Sequence, residues 1–239
     1  KSLYESLKEN IKAYSPGTWE KLTIQTTKNG GYHLIFKIKE DKQKGSVKLA
    51  EREATEEEKK EGQTKLVLIE TRSANSYIVC YPSPGYKVTH GKLLDIKYIS
   101  TEERDLIYAC SRMLSEVMPP VFKSHQKIEW QSEGEKPWEA YCNDPHHWKT
   151  VMEKNQWTIK PQKGSKIPVC RPGSKTPSGN FDTSYNLLRV FSTSQDTFSP
   201  DVSYNPFMIF CNLETGGDIK QGAKQLRDLN YGHTPEPKF

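Results

Sequence analysis

Residues 26–36 read Thr-Thr-Lys-Asn-Gly-Gly-Tyr-His-Leu-Ile-Phe, and this stretch decides the fold of the first part of the chain. Strand-forming residues flank Asn29-Gly30 on both sides, from Leu22 to Thr26 and from Tyr32 to Ile38. Asn-Gly between two such runs is the strongest short-range signal for a β-hairpin, because both residues tolerate positive φ. Alternation along the second strand predicts one apolar face and places His33 on the other.

The elements around the hairpin are predicted from helical spacing and charge. Leu3, Leu7 and Ile11 recur at helical spacing, so we predict a helix of about a dozen residues before the hairpin. Residues 39–65 are rich in Lys, Glu, Asp, Gln and Gly, which predicts an exposed excursion. Thr55 has the character of a helix start within that excursion.

Two more strands and a helix complete the predicted first domain. The strands are expected at 66–71 and 77–81, and the turn at 82–85 is expected to end the sheet. Ser100 and Glu103 have the spacing of a capping box, and an apolar stripe follows them, so a helix is predicted there. A domain of this composition belongs to the α+β class.

The second part of the chain is predicted to be a separate, smaller α+β unit. It has a tryptophan-rich helical stretch, an aromatic strand-like run at 188–192 and a last helix that begins near Asp218, carries Leu229 inward and stops at Gly232. We divide the chain into a core, a linker, an accessory module and a tail, at 1–118, 119–140, 141–232 and 233–239.

Composition limits the class of protein. The 239 residues contain no apolar run long enough to span a membrane, so we expect no membrane partner and a cytoplasmic location. Five widely spaced cysteines without a Cys-x-x-Cys pair indicate neither a disulfide framework nor a zinc ribbon. The net charge of +5 permits nucleic-acid binding without requiring it.

Three residues carry the candidate chemistry. His33 follows the glycine pair, where backbone N–H groups and an imidazole can approach phosphates, although a lone histidine is often structural. Glu70 interrupts an apolar strand and needs a partner, which is either a metal or a cation. A purely structural pair of Glu70 and Arg72 is the alternative, since residues two apart on a strand project on the same side.

The order of these motifs resembles the archaeo-eukaryotic primase superfamily, specifically the bifunctional primase/polymerase (prim-pol) domains of phage and mobile-element replication proteins. The stretch 27–36 resembles the motif in which a Gly-Gly segment leads to a histidine. The stretches 68–72 and 77–83 resemble the motif in which an acid binds metal and an arginine lies nearby. Segments at 141–144, 171–173, 190–192 and 217–232 resemble the region that follows the core in primase-helicases.

The resemblance implies an RRM-like palm and template-dependent DNA synthesis by two-metal nucleotidyl transfer. Glu70 would then bind Mg²⁺ or Mn²⁺ and act with His33 in catalysis. The incoming dNTP or NTP would be bound by Gly30, Gly31, His33, Arg72 and Ser83, although a plain turn serine is the simpler interpretation of Ser83. The other implied partners are a DNA template and primer and a helicase domain, in a bacterial or phage-infected cell.

One family motif is missing from the sequence. A pair of acids at the end of a strand should precede the first helix, and it does not occur in this chain. Two-metal transfer requires carboxylates for both cations, so the chain as given is expected to be weak or inactive. We expect truncation to be the reason, since the missing piece would end close to residue 1. The alternative is a catalytically inactive DNA-binding or recruitment module of a replication protein.

A basic segment in the second part is the candidate DNA contact. It has one acid, Glu153, and seven basic residues: Lys149, Lys154, Lys160, Lys163, Lys166, Arg171 and Lys175. A solvated loop is the alternative interpretation of such a segment. The nearby stretch at 142–147 contains metal-ligand residue types, but a zinc site needs a second pair, and none follows at suitable spacing.

Overall fold

The computed structural model describes residues 2–39, 46–73, 76–124, 126–129, 134–192, 197–200 and 202–232. The chain divides into two units, Lys1–Val117 (unit 1) and Met118–Phe239 (unit 2). Each unit combines helices with antiparallel sheet, which confirms the α+β class predicted from the sequence. The predicted tail at 233–239 lies outside the described residues. Within the described parts of the chain, no helix is long and apolar enough to cross a membrane.

The described residues of unit 1 form four α-helices, five strands and a 3₁₀ turn at Leu93–Asp95. In chain order these elements are α1 (Leu3–Tyr14), α2 (Pro16–Glu20), β1 (Thr23–Thr26), β2 (Tyr32–Ile35), β3 (Lys48–Glu53), α3 (Glu56–Lys60), β4 (Lys65–Glu70), β5 (Lys87–His90) and α4 (Thr101–Arg112). One sheet has the order β2-β1-β5, and β3 pairs with β4 in a second, two-stranded sheet. All of these pairings are antiparallel.

The core of unit 1 lies between the three-stranded sheet and the two long helices. Helix α1 is capped by Ser2 and buries Leu7 and Ile11, as its spacing predicted. Helix α4 begins with the predicted capping box of Ser100 and Glu103. These apolar faces pack in one cluster with Ile24 of β1, so the central strand is fixed in position by both helices.

Three sequence predictions for unit 1 are wrong. The excursion at 39–65 is not wholly exposed, because β3 lies within it and buries Leu49 and Ala50. The stretch 77–81 is not a strand. The sheet does not end at the turn, since β5 follows it and pairs with β1. Pairing between segments decides whether each of these stretches is a strand, and local alternation does not contain that information.

The described residues of unit 2 form a five-stranded meander with helices packed on it. Its elements are α5 (Pro137–Asn143), α6 (His147–Lys154), β6 (Thr158–Ile159), β7 (Lys166–Cys170), β8 (Gly179–Asp182), β9 (Leu187–Val190), β10 (Ser203–Tyr204), α7 (Pro206–Glu214) and α8 (Ile219–Asp228). The strand order is β10-β9-β8-β7-β6, antiparallel throughout. The indole of Trp148 stacks on Phe181 with 3.9 Å between ring centroids, at the centre of the unit's core.

The stretch predicted as a linker is packed in its described part. Phe122 donates its backbone N–H to the carbonyl of Ser203, and Ser203 donates its own N–H to Pro120. Gln126 accepts a hydrogen bond from the backbone N–H of Ile219 at the start of α8. The segment 119–140 therefore belongs to unit 2 and includes the start of α5.

The last helix begins as the sequence predicted and ends differently. The Asp218 carboxylate accepts hydrogen bonds from two backbone N–H groups of the first turn of α8. Leu229, expected to point inward, is 62% exposed, because the helix ends at that residue. Asn230 then takes the left-handed conformation two residues before the predicted stop at Gly232.

A glycine in β8 provides a test of the sheet in unit 2. A Cβ on Gly179 would lie 2.6 Å from the carbonyl oxygen of Arg189 on the neighbouring strand. Gly179→Ala should therefore destabilise the unit by about 1–3 kcal/mol, measured by denaturant unfolding of the chain. Gly17→Ala is the matched control, since its Cβ would meet no atom within 4 Å. Equal stability of the Gly179 variant and the wild type would contradict this packing.

A capping box in unit 1 provides a pH test. Hydrogen bonds from Arg52, and then from the backbone of Thr55, lower the pKa of Glu58 from 4.5 to about 2. Because the folded state has the lower pKa, this stabilisation is complete above about pH 4.5 and is lost as the pH falls towards 2. Denaturant titrations at several pH values between 4.5 and 2 should show that the free energy of unfolding falls less steeply with falling pH in Glu58→Gln than in the wild type. Glu56→Gln, which removes an exposed ion pair with Lys59, is the control. Its free energy of unfolding should fall with pH as steeply as that of the wild type.

Candidate functional site

The hairpin turn of unit 1 is built around Thr27. Its backbone N–H donates to the carbonyl of Gly31, and its carbonyl accepts from the N–H of Gly30. Its side-chain oxygen accepts from the N–H of Gly31 at 3.0 Å. Gly30 has a φ of +78°, which explains the glycine there. Both glycine N–H groups are thus hydrogen-bonded within the turn, whereas the sequence predicted that they would bind a triphosphate.

One cavity of about 1000 Å³ lies beside this turn, within unit 1. Four of the five residues predicted to bind the nucleotide line it, Gly30, Gly31, His33 and Arg72, and so does Glu70, the predicted metal ligand. The hairpin supplies the first three residues, and the end of β4 and the residues after it supply the other two. Two segments distant in sequence therefore meet at one cavity, whose wall also includes residues of α1 and of the segment 76–79.

His33 is positioned by a residue of the neighbouring strand. The hairpin register places it directly opposite Gln25, and the Gln25 Nε2 lies 2.8 Å from the His33 Nδ1. Its ring also lies near that of Tyr86, with 6.2 Å between the ring centroids. Partial burial lowers the pKa of His33, because burial disfavours the charged imidazolium. His33 is thus a histidine that favours its neutral form and lines the cavity.

Glu70 and Arg72 form an ion pair with each other. The guanidinium of Arg72 donates to the Glu70 carboxylate, and its other terminal nitrogen lies 3.4 Å from the hydroxyl of Ser46. The two side chains remain partly exposed, by 38% for Glu70 and 50% for Arg72. Glu70 therefore has the charged partner that its position in an apolar strand requires. That partner is Arg72, as expected if the two residues form a structural ion pair.

The described residues of the cavity do not form a complete two-metal site. Glu70 is the single carboxylate among the described lining residues. Nowhere in the described ranges do three or more His, Cys, Asp or Glu side chains cluster as metal ligands. Magnesium requires an octahedral set of oxygen ligands, and two-metal catalysis requires carboxylates for both ions. The described lining residues therefore supply one carboxylate for a cation, together with one guanidinium and one imidazole.

Ser83 lies apart from the other predicted site residues. It belongs to the turn at 82–85, where its N–H donates to the carbonyl of Cys80 and its own carbonyl accepts from Tyr86. It is not among the residues that line the cavity. This geometry is that of a turn serine, the simpler interpretation given above.

Aromatic side chains that were not predicted from the sequence as site residues also line the cavity. Tyr4 of α1 stacks on Tyr32 of β2, with 3.8 Å between ring centroids. Tyr77 is 92% exposed at the same cavity. Gln25 was missed as well, although counting back across the turn from His33 identifies it as the opposite residue. The tyrosines have no comparable local signal, because separate elements bring them together.

The seven basic residues of unit 2 that were predicted to contact DNA fall into two groups. Lys154 pairs with Glu214, the Arg171 guanidinium donates to the hydroxyl of Ser192, and Lys149 lies over the ring of Trp148. The other four are exposed, and no described acid lies within ion-pairing distance of them: Lys160, Lys163, Lys166 and Lys175. The basic segment, for which a solvated loop was the alternative interpretation, contains the strands β6 and β7. The second group is available to an anionic partner.

Comparisons of this chain with family models, with curated proteins and with solved structures gave no match.

Proposed function

We propose that unit 1 is the nucleotide-binding part of a template-dependent DNA primase/polymerase domain of a replication protein. The observation that carries this proposal is the single cavity lined by Gly30, Gly31, His33, Glu70 and Arg72. The motif order that resembles the prim-pol domains supplies the class of reaction. The geometry supports the nucleotide-binding step of that reaction.

Each residue has a role in nucleotide binding that follows from its chemistry. The glycines present no side chain, so a phosphate can approach the turn closely. His33 supplies a ring nitrogen for hydrogen bonding, and Arg72 supplies a guanidinium that matches phosphate oxygens. Glu70 holds Arg72 in place until a phosphate competes for it. A cavity of this size also has room for the base and sugar of a nucleotide.

Nucleotide binding should depend on His33 and Arg72. Titration of the chain with a fluorescent dATP analogue, in the presence of Mg²⁺ or Mn²⁺, should show saturable binding. His33→Ala and Arg72→Ala should each weaken it about tenfold or more, since each removes a hydrogen bond to a charged phosphate. Matched controls are His90→Ala on β5 and Arg52→Ala, whose arginine pairs with Glu58 outside the cavity.

The controls should bind the analogue like the wild type. Absence of saturable binding by the wild type would contradict the proposal. An equal loss in the control variants would mean that the effect comes from stability rather than from the cavity.

The second candidate is an inactive DNA-binding or recruitment module. Two observations favour it: the Glu70–Arg72 ion pair, and the four exposed lysines of unit 2. The two candidates share the expectation that unit 2 contacts DNA. They differ in unit 1, because a recruitment module has no need of a nucleotide.

DNA binding should decrease when the four exposed lysines are removed. Replacement of Lys160, Lys163, Lys166 and Lys175 by Gln should weaken binding to single-stranded DNA. It should also reduce the slope of log K against log salt by about 0.7 for each lysine that contacts phosphate. The matched control replaces four other exposed lysines of the unit, Lys123, Lys127, Lys220 and Lys224. An equal reduction of DNA affinity in both quadruple variants would mean that the net charge of the chain, and not these four lysines, determines DNA binding.

A further inference from the structure

Gln25 is a fully buried amide at the centre of a sheet. It lies on β1, the middle strand of the three-stranded sheet, with His33 opposite it on one side and Val88 on the other. Its relative exposure is 0%. A buried amide is costly unless its polar atoms are paired, so its hydrogen bonds define its role.

Two backbone groups fix the orientation of this amide. The Gln25 Nε2 donates to the carbonyl oxygen of Val79 at 2.9 Å. The Gln25 Oε1 accepts from the backbone N–H of Tyr81 at 3.1 Å. A backbone carbonyl can only accept and a backbone N–H can only donate, so the amide cannot be turned over without breaking both bonds.

The orientation of the amide decides the protonation of His33. One Nε2 hydrogen of Gln25 goes to Val79, and the other is directed at the His33 Nδ1, 2.8 Å away. That ring nitrogen must therefore present a lone pair. If Nδ1 carried a proton, its N–H group and the N–H group of the Gln25 amide would face each other as two donors without an acceptor. The neutral ring then carries its proton on Nε2, which has no hydrogen bond within the described part of the chain.

We infer that Gln25 is a positioning residue that holds His33 as the neutral tautomer with its proton on Nε2, available to donate to a phosphate oxygen in the cavity. The inference rests on the proposed function for the identity of the anion. The tautomer itself rests on the hydrogen bonds of Gln25 alone. Among the described residues that line the cavity, the other titratable side chains are those of Tyr4, Tyr32, Glu70, Arg72, Tyr77 and Tyr86.

This arrangement has a chemical consequence for ligand choice. A neutral imidazole that donates through Nε2 remains a donor throughout the range above the usual histidine pKa. Protonation is not needed for it to bind an anion. The partial burial that lowers the pKa of His33 acts in the same direction as Gln25.

The test is a direct measurement of the tautomer in the full chain. Long-range proton–nitrogen NMR spectra of ¹⁵N-histidine-labelled protein identify which ring nitrogen bears the proton, with His33→Ala used to assign the signal. We expect the unprotonated nitrogen of His33 to be Nδ1. A proton on Nδ1, or an imidazolium at neutral pH, would overturn the inference without the need for any Gln25 variant.

Gln25→Glu is the variant that separates positioning from structure. The ionised carboxylate of this variant still accepts from Tyr81, loses the hydrogen bond to the Val79 carbonyl and now accepts from the ring, so the His33 proton should move to Nδ1. At about pH 8.5 the affinity for the dATP analogue should fall at least about tenfold, because a lone pair on Nε2 then faces the phosphate. Gln63→Glu adds the same charge at an exposed site of unit 1 and should change neither readout.

The two readouts keep this inference distinct from the proposed function. If His33 has the expected tautomer and it switches in Gln25→Glu, but no protein binds the analogue, the positioning role stands and the nucleotide site fails. If the wild type binds the analogue with Nδ1 protonated, the nucleotide site stands and the positioning role fails. An unchanged tautomer in Gln25→Glu also overturns the inference. His147 of unit 2, bonded to Tyr141 and Tyr231, is the internal reference.

Discussion

The buried amide of Gln25 is the interaction on which the candidate site depends. It joins the central strand to His33 on one side and to the backbone of Val79 and Tyr81 on the other. The segment after β4 has no strand partner at that point, and the side chain satisfies its polar groups instead. One residue thus positions the wall of the cavity and the histidine that lines it. Polar contacts of this kind specify geometry strongly, because a buried amide tolerates few alternatives.

The electrostatics of the cavity follow from the same arrangement. Glu70 and Arg72 are the charged side chains among its described lining residues, and they cancel each other. His33 adds a neutral donor. An anion that enters the cavity would have to compete with Glu70 for the guanidinium. The partial exposure of both side chains lowers the cost of that exchange, since water solvates the released carboxylate.

Local sequence signals predicted well those features that depend on neighbours in the chain. The hairpin and the capping box at Ser100 are specified by residues within a few positions of each other. The strand β3 was missed because its composition is charged and its pairing with β4 is decided by residues beyond it. The stretch 77–81 has the composition of a strand, but its backbone bonds to a side chain. The sequence predicted five residues that line the cavity, whereas Gln25 and the tyrosines could be identified only from tertiary contacts. The chemical roles of the five predicted residues stay predictions.

The sheet order β2-β1-β5 has a consequence for how unit 1 assembles. The hairpin of β1 and β2 closes a short loop, whereas β5 must return past the whole of β3, α3 and β4 before it can pair. Loop closure over that distance costs more entropy than closure of the hairpin, so the pairing of β5 is the more costly of the two pairings in this sheet. The segment that bonds to Gln25 immediately precedes β5. The orientation of His33 therefore depends on both pairings of β1, because its partner Gln25 is itself held by the segment that leads into β5.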